Sequence, residues 1–267
     1  MFKASANLNI MIKTARSAAR GLLRDFGEVE NLQVSSKAAG DFVSKADIKS
    51  EKIIFEALSE ARPNYGWLAE ESEEKTGKDP TRKWIVDPLD GTSNFLHGIP
   101  HWAISIGLEY KKEIIAAVVY DPIKDEMFSA EKGQGAWLND RRLRVSDRKN
   151  MIEMLFATGM PFAEKPGLKE TIEEVTRLMP KCAGLRRNGA AALDLVYVAA
   201  GRFDGYWERG LQPWDIAAGI LIAKEAGALL EALDTKQNPM ECGDIICSNN
   251  LIFDAFASLI RLQSKSL

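Results

Sequence analysis

A chain of 267 residues, 46% apolar and 27% charged, has material for one large domain or two closely packed halves and needs no disulfide staples. A net charge of -3 and a pI near 5.7 argue against a dedicated nucleic-acid or anionic-membrane surface, since the basic runs at Arg141-Arg142 and Arg186-Arg187 are short. The cysteines Cys182, Cys242 and Cys247 lack zinc-ribbon spacing, no apolar run approaches the ~20 residues that span a bilayer, and the first residues do not resemble a secretory leader, so a cytoplasmic protein is expected. From Leu8, apolar residues recur at helical spacing through Met11, Ala15, Ala18, Leu22 and Phe26, predicting an amphipathic helix. The polar stretch 31–41 that follows reads as an exposed loop, and a second helix opens near Asp47 and closes at Pro63. Short β-rich segments at 84–86, 102–110, 114–120 and 126–130 predict an antiparallel meander. Beyond a composition shift near residue 150, a strand at 155–158 precedes helices at 169–178, 190–200 and 214–226, then a strand at 245–248 and a helix at 253–262. The boundary divides the chain into an α+β half, 1–150, and an α/β half, 151–267, with helices layered on sheets in both.

The chemistry concentrates in acids that stand at the ends of these elements. In Trp84-Ile85-Val86-Asp87-Pro88-Leu89-Asp90-Gly91-Thr92-Ser93-Asn94-Phe95 an apolar strand delivers Asp87 at its carboxyl end. Pro88 forces an extended turn and Gly91 permits close backbone approach. Two carboxylates so close repel each other and raise a pKa, a conflict that a divalent cation between them removes. Oxygen-only ligands suit Mg²⁺ or another hard ion rather than zinc. The Gly91 and Thr92 amides, at a helix start, are suited to holding a phosphate. A turn with an Asp cap is the plainer explanation of Asp90-Gly91-Thr92-Ser93 taken alone. Glu70 ends another apolar stretch and offers a further ligand from a neighbouring strand. Asp215 lies in the first turn of an apolar helix, where capping alone accounts for an acid.

Three segments together, Leu68-Ala69-Glu70-Glu71-Ser72, the run from Asp87 to Phe95, and Trp214-Asp215-Ile216-Ala217-Ala218-Gly219, resemble the signatures of the inositol monophosphatase family in order and spacing. Supporting similarity runs from about residue 41 to 250. The resemblance implies an α/β fold of α+β layered type, an alternating α-β-α-β-α sandwich, often a homodimer. It also implies hydrolysis of a small phosphate monoester, with myo-inositol 1-phosphate first among substrates, by water activated on two or three Mg²⁺ ions, and inhibition by lithium. By that resemblance Glu70, Asp87 and the Leu89 carbonyl hold one metal, Asp87, Asp90 and Asp215 a second, and a weaker third sits near Glu70. Asp47, Glu70 and Thr92 would serve the attacking water, although Asp47 is equally explained as a helix cap. Asp90, Gly91, Thr92, Ala191, Glu208 and Asp215 would meet the substrate, with Glu208 and Ala191 on the alcohol side; a surface charge is the other explanation of Glu208. Lys37 would belong to a flap over the metals, and Arg186 or Arg187 would reach the phosphate or a subunit interface. Ser93-Asn94-Phe95 and Glu208 point to the inositol branch. Fructose-1,6-bisphosphatase or another sugar or nucleotide phosphatase is the enzymatic alternative, and a regulatory binding protein on the same fold is the alternative of another class.

Overall fold

The computed structural model describes residues 4–28, 34–38, 41–161 and 166–261. Helix α1, Ala6–Phe26, starts where the Ser5 hydroxyl accepts a hydrogen bond from the Leu8 amide. Its stripe of Leu8, Met11, Ala15, Ala18 and Leu22 is buried, and α2, Lys45–Ala61, packs beside it through Ala46, Ile54 and Leu58. Both lie on one face of a seven-stranded sheet. Its strands run in sequence order: β3 (Tyr65–Ala69), β4 (Asp79–Asp90), β5 (Ala103–Tyr110), β6 (Glu113–Asp121), β7 (Glu126–Glu131), β8 (Gly135–Leu138) and β9 (Arg141–Arg142). All neighbours are antiparallel except β3 and β4, which are parallel, so the expected meander holds from β4 onward. The segment read as a loop in the sequence instead contributes an antiparallel pair, β1 (Val34–Ala38) with β2 (Asp41–Ser44). Val34, Phe42 and Val43 favour extended backbone, a preference hidden among Ser and Lys. Residues 31–33, 39 and 40 of that segment lie outside the described residues, as does the Lys37 side chain.

The second sheet is assembled entirely after residue 150: β11 (Gly184–Arg186), β10 (Leu155–Thr158), β12 (Gly205–Glu208), β14 (Ile245–Asn249) and β13 (Ala228–Glu231), in that spatial order. Between the sheets run α5, Ala191–Ala199, and α6, Pro213–Glu225. Every residue of α5 is buried, as is Ile216 through Ala223 of α6, because a helix covered on both sides by sheets cannot present a polar face. On the outer face of the small sheet lie α4, Leu168–Leu178, and α8, Phe253–Arg261. The short helices α3, Thr92–Leu96, and α7, Pro239–Cys242, complete the set. The layering is therefore α, β, α, β, α, with one apolar core under each outer helix layer and a third that fills both seams around the central helices. The middle core draws residues from both halves of the chain, Ala117 and Phe128 beside Leu195 and Ile220. Among the described residues no helix is long and apolar enough to cross a membrane.

Candidate active site

The geometry of the site begins with a counting irregularity in β4. Asp87 pairs with Ser105 and Asp90 with Ala103, so three steps along β4 match two along β5. In a regular strand residues three apart point to opposite faces; the one extra residue brings Asp87 and Asp90 to the same face. Pro88 sits inside this bulge, where its missing N–H breaks no ladder bond. The bulge is held from the other side by α2, whose buried Ser50 hydroxyl donates to the Pro88 carbonyl at 3.0 Å. Within it the Leu89 amide donates to Asp87 Oδ1 at 2.9 Å. Gly91 follows with φ 92°, and a Cβ there would stand 3.0 Å from the His101 carbonyl, so both backbone and space call for glycine. The chain then enters α3, where the Thr92 hydroxyl donates to the Leu89 carbonyl at 3.0 Å and the Asn94 amide bridges the carbonyls of His101 and Asn188, both at 2.8 Å.

The face that carries Asp87 and Asp90 looks toward α5 and α6. Asp90 Oδ2 accepts the Ala192 amide at 2.8 Å, in the first turn of α5, and the Ser105 hydroxyl donates to the Trp214 carbonyl at 3.3 Å, at the start of α6. Asp215 sits one residue further on, its Oδ2 accepting the Gln212 amide at 2.7 Å. Glu70 directly follows β3, and its turn is anchored by the Glu71 amide, which donates to the buried Glu51 carboxylate at 2.8 Å.

These placements produce one electrostatic neighbourhood. Asp87, 2% exposed, has its carboxyl held well above the usual range first by burial, then by the negative charges of Glu70, Asp90 and Asp215. Asp90 is raised in the same direction by burial and then by Asp215, with Asp194 and Glu208 adding to it and the Ala192 amide opposing. The sequence-predicted acids Glu70, Asp87, Asp90 and Asp215 thus share a single field. Asp47 is buried in the first turn of α2, Ala191 opens α5 beside Asp90's partner amide, and Glu208 ends β12, where its charge acts on Asp90. Among the described residues no three His, Cys, Asp or Glu side chains are already closed into an ion cage. The donor set nevertheless fits a hard cation by its chemistry, because every donor is an oxygen and two buried carboxylates are left facing like charge.

Several contributors were not singled out in the sequence. Asp194, 1% exposed in the first turn of α5, accepts from the Asn188 amide at 2.8 Å and is pushed well above the usual range by burial and then by Glu208's charge. A lone acid inside Ala191-Ala192-Leu193-Asp194-Leu195-Val196 was the available signal. Of the two arginines left undecided, Arg187 lies in Asp194's field and lowers its carboxyl, whereas Arg186 Nη1 donates to the Leu185 carbonyl at 3.2 Å. Tyr206, fully buried, donates its hydroxyl to Glu208 Oε2. Gly159 lies against the same carboxylate.

A family model described as the inositol monophosphatase family matches residues 4–265. The chain is 51% identical over 257 residues to a protein of Rhizobium meliloti (strain 1021) named inositol-1-monophosphatase, covering 96% of this chain and 97% of that one. It is 42% identical over 258 residues to the Nus factor SuhB of Pseudomonas aeruginosa, covering 95% of each. Among solved structures, extragenic suppressor protein suhB from Bartonella henselae superposes with a TM-score of 0.93 at 50% identity, covering 98% of this chain and 100% of that one.

Proposed function

Because this chain belongs to the inositol monophosphatase family, we propose that it is a Mg²⁺-dependent phosphatase that hydrolyses a small phosphorylated polyol, myo-inositol 1-phosphate before others. The observation that carries the reading is the β4 bulge, which turns Asp87 and Asp90 to one face, into the field of Glu70 and Asp215. In this reading Glu70, Asp87, the Leu89 carbonyl, Asp90 and Asp215 hold two or three Mg²⁺ ions. When bound, the ions supply an acidified water and a counter-charge for the leaving oxygen. The chain's own residues do the rest. The Thr92 hydroxyl donates its hydrogen bond to the Leu89 carbonyl, which leaves its lone pairs to accept a hydrogen bond from the attacking water and to aim that water's own lone pair at phosphorus. Asp47 takes the water's other proton at its carboxylate, the bond from phosphorus to the polyol oxygen breaks, and that oxygen is protonated from solvent while Asp47 returns its proton to solvent. The Gly91 and Thr92 amides hold the phosphate oxygens, and Asp90, Asp215, the Ala191 backbone and Glu208 receive the polyol hydroxyls. A homodimer in the cytoplasm, inhibited by lithium, belongs to the same proposal.

The relatives named Nus factor SuhB favour a second reading, a regulatory binding role on the same fold. One assay separates the two and tests substrate class. Purified protein is given inositol 1-phosphate, fructose 1,6-bisphosphate, histidinol phosphate and 3′-phosphoadenosine 5′-phosphate, each with Mg²⁺ and with a chelator. Inositol phosphate turnover that vanishes on chelation is the expected result. Preference for the bisphosphate moves the assignment to that substrate, and no turnover of any ester leaves only the binding role.

A further inference from the structure

We propose that Gly159 and Tyr206 set the position of the Glu208 carboxylate, and so decide how strongly the site prefers a polyol phosphate to a phosphate ester without neighbouring hydroxyls. The inference rests on the reading that Glu208 meets the alcohol half of the substrate. Strands β10 and β12 are parallel, with Ala157 opposite Tyr206 and Thr158 opposite Trp207. Alternation along β12 sends Tyr206 and Glu208 to the face toward α5, and Trp207 to the other face. Tyr206 accordingly belongs to the middle core, while Trp207 belongs to the outer one and donates its indole N–H to Glu174 Oε2 at 2.8 Å. The Thr158 hydroxyl donates to the Trp207 carbonyl at 2.7 Å, which locks the two strands together beside Gly159.

The Glu208 carboxylate is then confined from two directions. From one, the Tyr206 hydroxyl donates to Oε2. From the other, it lies so close over Gly159 that a Cβ there would stand 1.7 Å from Oε1 and 1.8 Å from Cδ. Gly159 is not one of the positive-φ glycines, so what the position requires is room. A glutamate on the surface must freeze its rotors when it meets a hydroxyl, a cost set against binding. Here the freezing is done by folding. Tyr206 and Gly159 are positioning residues: they act on the substrate through Glu208.

The full-length protein and its Tyr206→Phe, Gly159→Ala and Glu208→Ala variants are assayed with myo-inositol 1-phosphate and with 4-nitrophenyl phosphate, and the ratio of the two kcat/KM values is followed. Tyr206→Phe, which keeps the ring and loses the donor, is expected to lower that ratio about five- to tenfold, mostly through KM for the inositol ester. Gly159→Ala, which evicts the carboxylate, is expected to bring the ratio close to that of Glu208→Ala. A purely structural role would depress both substrates together and leave the ratio within about twofold of the parent. That outcome, with Glu208→Ala still lowering the ratio, overturns the positioning role while the reading of Glu208 stands. A ratio that does not move in Glu208→Ala overturns the reading itself, and the proposal with it. Should Gly159→Ala fail to fold, the near-isosteric Tyr206→Phe decides alone.

Discussion

Helices α5 and α6 both open at the acidic site, yet their first turns are satisfied in opposite ways. Helix α6 caps itself: Pro213 occupies the start, and Gln212 and Asp215 exchange backbone and side-chain bonds in a capping box. Helix α5 has no capping side chain of its own, and the bond to its Ala192 amide comes from Asp90, 102 positions earlier in another sheet. A local cap makes an element independent of its surroundings. A borrowed one ties the amino end of α5 to the β4 bulge, so that the position of Ala191 and the position of Asp90 are the same structural fact.

The largest effect should come from cutting that tie. Asp90→Ala removes a proposed metal ligand and the borrowed cap together, so hydrolysis should fall by about a hundredfold or more, and loss of the cap should cost about 1 kcal/mol of stability. Asp90→Asn keeps an oxygen for the Ala192 amide. Its hydrolysis should fall as far, but its denaturant midpoint should equal or exceed the parent's, because a buried charge opposed by Asp215 and Asp194 is gone. Equal midpoints for the two variants would mean that Asp90 does not cap α5.

A smaller effect concerns Asp194, in the first turn of α5. Burial holds the Asp194 carboxyl well above its usual range, so the folded chain retains a proton that the unfolded chain releases above the ordinary Asp pKa of about 3.9. Stability from this group is therefore complete below that pH and declines as pH rises toward the raised folded value. Asp194→Asn preserves the oxygen that faces Asn188 and should flatten this decline, as read from unfolding free energies at several pH values in metal-free buffer. The smallest effect belongs to the self-capped helix. Gln212→Ala should cost about 0.5–1 kcal/mol by chemical denaturation, with amide exchange at the start of α5 unaltered. If exchange at α5 rises as well, the two helix starts are coupled after all.

Much of this arrangement was legible because it is local. The one-faced period of α1, the β-branched strands of the meander and the all-apolar run of α6 each announce their partner by the width of their apolar face. The acids were readable as ends of elements. What could not be read was contact across the chain. β12 is four residues long and β11 three, too short for a periodic signal, so Tyr206 and Glu208 stood in the sequence without the strand that turns them to one face. Gly159 gives no local sign either, because its reason lies on a neighbouring strand. The pair β1 and β2 was missed for the converse reason: polar residues at 35–37 outweighed the strand formers beside them.

The extra residue in β4 carries a consequence for how this chain can change over time. A pleated strand keeps account of direction by odd and even positions, and the step from Asp87 to Asp90 restores parity only because of the bulge. Most loops accept the gain or loss of a residue. Between Asp87 and Asp90, losing one would remove the bulge itself, with the turn that Ser50 and the Leu89 amide hold, and gaining one beside the bulge would turn one carboxylate into the core behind the sheet. Spacing at this point is inherited as strictly as chemistry.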